Sequence, residues 1–205
     1  MFEPLKIMST EIKFRPWVGN RYESSPFGKK ILILGESHYG WKGSGNIDEQ
    51  PDVTERVVSE QLAGNYIKRF WTNIATAFLN RKPTLADKRE FWNSVAFYNY
   101  VQCSVGDRAR IRPTSDKWQS GESAFFEVLE SLTPKLIVVL GYALWDHLPI
   151  ANSERSSKLS GHDYIRTRRY LFDAGSAFVI NVKHPSTGFN GLKWHPCISE
   201  AIQAA

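Results

Sequence analysis

Two runs, "KKILILGES" from Lys29 to Ser37 and "KLIVVLG" from Lys135 to Gly141, hold unbroken apolar residues and then meet a glycine. A strand wetted on one side alternates, and a surface helix breaks its apolar run every few residues. Short continuous runs of this kind read as strands buried on both faces. Two further segments join them: "SVAFYNYVQ" from Ser94 to Gln102, and "AFVINVKHPS" from Ala177 to Ser186. Helical spacing of apolar residues lies between, over Thr54–Ala63, Tyr66–Leu79, Glu122–Leu132 and Ala143–Leu148. A terminal helix is predicted over Trp194–Ala205, with Pro196 in its first turn. Strands alternating with helices specify an α/β fold with a central, mostly parallel sheet. Asp163 to Phe172 reads either as an extra edge hairpin or as a basic loop.

A length of 205 residues suits one domain spanning 1–205, and 42% hydrophobic with 13% aromatic residues suffices for a substantial core. Disordered, collagen-like and coiled-coil classes are excluded on that composition. No run approaches the roughly 18 apolar residues of a membrane helix. Glu3, Lys6, Glu11 and Lys13 interrupt the first fifteen positions, unlike a signal peptide. Cys103 and Cys197 are the only cysteines, too few for a disulfide framework or a four-cysteine metal cluster. The expectation is a reduced, cytoplasmic, soluble monomer without contact to a membrane. The net charge of +5 permits a polyanionic partner without requiring one. Basic residues gather at Arg108, Arg110 and Arg112, and again at Arg166, Arg168 and Arg169.

Ligands of open α/β sheets bind beyond the carboxyl ends of the strands. Three of the strands end in polar groups: Glu36-Ser37-His38-Tyr39, Asn99 with Gln102, and His184-Pro185-Ser186. The fold would aim these distant residues into one cleft. "GWKGSG" at Gly40 to Gly45 lacks the context of a nucleotide-binding fingerprint and reads as a flexible lip of that cleft.

Taken in order, the segments resemble the uracil-DNA glycosylase superfamily, a three-layer α/β/α fold that excises bases from DNA. "ILILGESHYG" sits where that superfamily has its first motif. "FYNYVQC" is similar to the strand carrying the uracil-reading asparagine in the thermophile-type family. "PKLIVVLGYALWDHL" resembles the superfamily's Pro-x-hydrophobic-Gly-x-x-Ala segment, and "VKHPS" its His-Pro-Ser motif. The resemblance covers roughly Lys29 to Ser186. It departs from the best-known family, which has Gly-Gln-Asp-Pro-Tyr: Ser37 stands at the aspartate and His38 at the proline. Glu36 matches the Gly-Glu of the thermophile-type family, whose iron-sulfur cluster two cysteines cannot hold.

The resemblance implies a monofunctional glycosylase that flips uracil from DNA and cleaves its N-glycosidic bond, without metal or cofactor. Negative charge then develops on uracil O2 and positive charge on the sugar. His184 is the implied donor to the departing base, and Glu36 the implied anion or water base, with His38 as its rival. Asn99 offers one acceptor and two donors, a match to uracil N3-H and O4 that cytosine reverses. Tyr39 corresponds to the tyrosine that excludes the thymine methyl, and Ser37 and His38 alter the pocket wall. Phe70 is the loose counterpart of the stacking phenylalanine, in competition with Trp41 and Trp71. Ser186 would meet a phosphate, Phe189 and Leu192 could wedge into the base stack, and Arg108, Arg110 and Arg112 would hold the backbone by charge. Two other readings stay open. One is a glycosylase for another deaminated base such as hypoxanthine. The other is a catalytically silent nucleic-acid-binding module.

Overall fold

The computed structural model describes residues 11–40, 43–65, 68–108, 111–186 and 188–205. Strand β2 (Ile31–Gly35) is the apolar run at Lys29, and all five of its residues are buried. It pairs in parallel with β3 (Ala96–Asn99) on one side and β4 (Leu136–Leu140) on the other. β4 pairs in parallel with β7 (Gly175–Val182). These are the four apolar segments, adjacent and parallel. Three short additions make the seven-stranded sheet mixed, in the order β1-β3-β2-β4-β7-β6-β5. β1 (Trp17–Val18) runs antiparallel to β3. β6 (Thr167–Phe172) forms an antiparallel hairpin with β7, and β5 (Ser153–Glu154) borders β6. The basic stretch from Asp163 is thus resolved as the hairpin.

Side chains alternate across the sheet, so each strand supplies two cores. Ile31, Ile33, Phe97, Val138 and Ile180 face one cluster, to which α2 (Arg69–Leu79) and α7 (Gly191–Ala204) also contribute. Leu32, Leu34, Tyr98, Val139 and Val179 face the other, with Phe125, Val128 and Leu129 of α5 (Glu122–Leu132). Among the described residues, no helix is long and apolar enough to cross a membrane.

The helices complete the first core with aromatic rings. Trp71 of α2 packs edge-on at 4.8 Å from Trp92 and 5.0 Å from Phe97. Trp92 ends α3 (Leu85–Trp92), which sequence periodicity did not mark because only eight residues and few apolar positions form it. Its start is fixed chemically. Thr84 Oγ1 accepts from the Asp87 amide at 3.1 Å, and the Asp87 carboxylate accepts from the Thr84 amide at 2.8 Å. α1 (Val53–Ala63) and α4 (Ser115–Gln119) lie in the connections, and α6 (Tyr142–His147) follows β4 directly.

The terminal helix differs from its sequence reading. It starts at Gly191, where the Asn190 side chain accepts from the Lys193 amide, so Pro196 lies in its second turn. The earlier start is set by tertiary contact. A Cβ on Gly191 would lie 2.7 Å from Thr76 Cβ and 2.8 Å from the Asn73 carbonyl oxygen, so only glycine lets α7 approach α2 this closely. Gly191→Ala is therefore expected to force the two helices apart and lower stability by ~1–3 kcal/mol. Urea unfolding measures this directly, and an unchanged midpoint would show that the contact relaxes at no cost.

Candidate active site

The carboxyl ends of β2, β3 and β7 open beside the first turn of α2, and four predicted residues meet there. Gly35 and Asn99 are register partners across β2 and β3. A Cβ on Gly35 would lie 2.1 Å from Asn99 Oδ1 and 3.0 Å from Phe97 Cζ, so the carboxamide occupies the space that glycine leaves. Asn99 is 6% exposed, and its carboxamide oxygen packs against Gly35. A carboxamide at a strand end offers one acceptor and two donors to a ligand's polar edge. Its backbone carbonyl accepts from Gln102 Nε2 at 2.7 Å, and Gln102 Oε1 takes the amides of Lys13 and Phe14. Gln102 therefore braces the strand end and is turned away from the cleft.

Phe70, in the first turn of α2, ties this corner to the His-Pro-Ser loop. Its ring centroid is 6.3 Å from Phe97 and 5.6 Å from His184, the latter inclined at 43°. His184 Nδ1 accepts from the Ser186 amide at 3.3 Å, which leaves the neutral ring's proton on Nε2, directed as a donor. Burial and, after it, the Arg112 charge hold the His184 pKa below its ordinary value. Near neutral pH the ring is thus an uncharged donor. The loop is pinned by Asn73 of α2, whose Nδ2 donates to the Pro185 carbonyl at 2.8 Å. Nothing in the sequence marked Asn73, because a polar residue on an amphipathic helix carries no sign of what it will meet.

Glu36 follows Gly35 and is largely covered, its side chain 13% exposed. Arg112 Nη1 donates to its Oε2 at 2.7 Å. Arg112, expected on phosphate, is paired with Glu36 in this structure, and its charge adds to the lowering of the His184 pKa. The contacts join two groups: Phe70 with His184 and Phe97, and Arg112 with Glu36, which follows the Gly35 packed against Asn99. An amide, an imidazole and a carboxylate are thus gathered at one end of the sheet.

Other predicted residues fall outside these two groups. His38 is 7% exposed, with Nε2 2.9 Å from Thr54 Oγ1 and its ring edge-on to Phe14 at 5.3 Å. It faces the interior beneath the loop, and no path leads from it to the cleft through the contacts described. Ser37 and Tyr39 line the same loop, half-buried, with the Lys68 ammonium 5.7 Å from the Tyr39 ring centroid. Trp71 is core, which removes it as a stacking surface. Trp41 and Arg110 lie outside the described residues, and Arg108 is exposed in the loop after β3. Ser186 is exposed beside His184. Phe189 is stacked on Trp194 at 5.7 Å and packs on the first core, while Leu192 remains 50% exposed. The second basic group is engaged with the fold. Arg166 and Arg168 lie over Trp145 at 5.4 and 5.0 Å, Arg168 also donates to the Pro149 carbonyl, and Arg169 lies over Phe178.

A cavity of about 480 Å³ sits between the Gly40–Asp48 lip and the loop of Ser104 to Asp107. None of Glu36, Asn99 and His184 lines it. Among the described residues, no three His, Cys, Asp or Glu side chains converge to hold a metal ion. No protein-family model matches the chain, and no curated protein matches it.

Two titrations follow from this geometry. Burial pushes the His38 pKa down from 6.5 to about 4. As pH falls through 6.5 the unfolded chain takes up this proton before the folded one, so stability drops until about pH 4 and then levels, by roughly 3 kcal/mol in all. His38→Gln is expected to lose correspondingly less stability over that window in urea titrations. An equal loss in both proteins would place the acid sensitivity elsewhere. Arg112→Gln is expected to raise the His184 pKa toward, though not to, its ordinary value, because burial is the larger cause. Histidine NMR titration reads this, and an unmoved resonance would break the Arg112–His184 coupling.

Proposed function

We propose that the chain is a monofunctional DNA glycosylase that hydrolyses the N-glycosidic bond of uracil in DNA. The single observation that supports the reading is the gathering of Glu36, Asn99, Phe70 and His184 at one mouth of the sheet, with Arg112 paired to Glu36. The reading includes the three-layer α/β/α arrangement of that superfamily, uracil-containing DNA as partner, no bound cofactor, and action as a cytoplasmic monomer.

In this reading the extruded uracil lies over Phe70, and Asn99 meets its N3-H and O4. As the bond from C1′ to the base nitrogen breaks, the electron pair leaves with the base and charge gathers on O2. The Nε2 proton of neutral His184 donates to that oxygen without first having to lose charge. Glu36 faces the positive sugar and accepts the proton of the water whose oxygen bonds to C1′. Arg112 holds Glu36 in the free protein and has a phosphate as its alternative partner once a strand is bound. A lesion base other than uracil would need a different polar edge from the one Asn99 offers.

One observation favours a silent binding module instead: the carboxylate is already neutralised by Arg112. Single-turnover excision from oligonucleotides bearing uracil, hypoxanthine or thymine, with alkali to reveal abasic sites, separates the readings. Uracil is the expected substrate. Glu36→Gln and His184→Ala are each expected to slow the chemical step ~10²–10³-fold while product binding survives. Asn99→Ala is expected to cost ~1–3 kcal/mol in kcat/KM for uracil. A wild-type protein that binds these strands and releases no base would overturn the glycosylase reading in favour of the binding module.

A further inference from the structure

The surface beside His184 carries an unusual set of exposed rings. Tyr142 opens α6 at the end of β4 and is 46% exposed; Tyr164, just before β6, is 59% exposed. A tyrosine ring offers an apolar face with a polar tip, which suits it to stacking at a wet surface. Neither ring is loose. Tyr164 stands edge-on to Trp194 at 6.0 Å, and Trp194 lies flat against Phe189 at 5.7 Å. The Arg166 guanidinium lies 5.7 Å from the Tyr142 ring centroid and also pairs with exposed Asp146. Arg166, whose guanidinium meets the Tyr142 ring, follows Tyr164 by two residues, which places the two rings on one stretch of surface.

Topology places all of these groups together. β4 and β7 end at this edge of the sheet, and β6, antiparallel to β7, begins there. The carboxylates beside the rings, Asp146 and Asp163, are paired with Arg166 and Lys158, and further lysines lie on the same edge. Among the described residues neither Lys183 nor Lys193 enters an ion pair, and Lys183 Nζ lies against the Gly188 turn, 3.0 Å from where a Cβ would be. Rings fixed in place and interspersed with cations make a stacking platform for nucleobases, because every base has a π-face and every linkage a negative charge. A duplex hides those faces inside its stack and has nothing to lay on a flat ring.

We infer that the exposed rings of Tyr142 and Tyr164, with Lys183 and Lys193 beside them, bind a segment of single-stranded DNA adjoining the nucleotide held at His184. The inference rests on the proposed glycosylase reading for the strand's destination, while its test reads binding alone. Fluorescence anisotropy with a short oligothymidine, and with the same sequence as a duplex, measures the preference. Single-strand binding is expected to be the tighter. Tyr142→Ala and Tyr164→Ala are each expected to weaken it ~10-fold, with duplex affinity unchanged. The log–log salt slope should stay the same, since stacking releases no counterions, whereas Lys193→Gln should lower its magnitude. Tyr→Phe at either position should restore affinity, which a merely structural role of the hydroxyl would not allow. Equal affinity for duplex and single strand, or a Tyr142→Ala/Tyr164→Ala double variant that binds oligothymidine like wild type, would overturn the inference. If the tyrosines matter for binding while no base is excised, the platform stands and the glycosylase reading fails.

Discussion

Ile31, Leu32, Ile33 and Leu34 are withdrawn from water on both faces of the sheet, and the placement of every other layer answers to that. A strand with no wet side must have neighbours at both edges and apolar cover above and below. β3 and β4 supply the edges, and the two apolar clusters supply the cover. Burying each large aliphatic side chain contributes on the order of 1.5–3 kcal/mol, so the strand anchors the register of its neighbours. That register sets Gly35 opposite Asn99.

Gly35 is the point at which packing becomes chemistry. A larger residue there would occupy the space of the Asn99 carboxamide, so the same position that closes the core opens the site. The remaining groups arrive by other routes. α2 brings Phe70 to the rim and, one turn later, Asn73 to the Pro185 carbonyl. The close approach of α7 at Gly191 fixes the far side of that loop. His184 is consequently oriented by two helices and its own Ser186 amide, and burial keeps it neutral near physiological pH.

The electrostatics of the site turn on one exposed cation. Arg112 is 68% exposed, while the Glu36 it holds is nearly covered. An exposed guanidinium is easily exchanged between partners, and its contribution to stability is small. Its effect on the site is larger, because it both neutralises the carboxylate and depresses the His184 pKa. A single long side chain thus couples groups from the ends of two strands.

Four strands, their mainly parallel pairing and the polar ends at Glu36, Asn99 and His184 were legible in the residues themselves, because burial on both faces writes an unbroken apolar run and polar groups at its end stand out. The elements that escaped notice, β1, β5, α3 and α4, are short and held by tertiary contact or capping, which leave little periodicity. His38 and Gln102 looked like cleft residues because they follow strand ends, and only the packed loops turned them inward to Thr54 and to the Lys13 and Phe14 amides. Arg112 and Asn73 lie far from their partners along the chain, so their roles depend on distances that spacing does not encode. The sequence by itself determined which segments must be buried and which polar groups end them, since hydrophobicity is local. Tertiary structure decided which of those groups meet, because a hydrogen bond or ion pair exists only between atoms that the fold has brought within about 3 Å of each other.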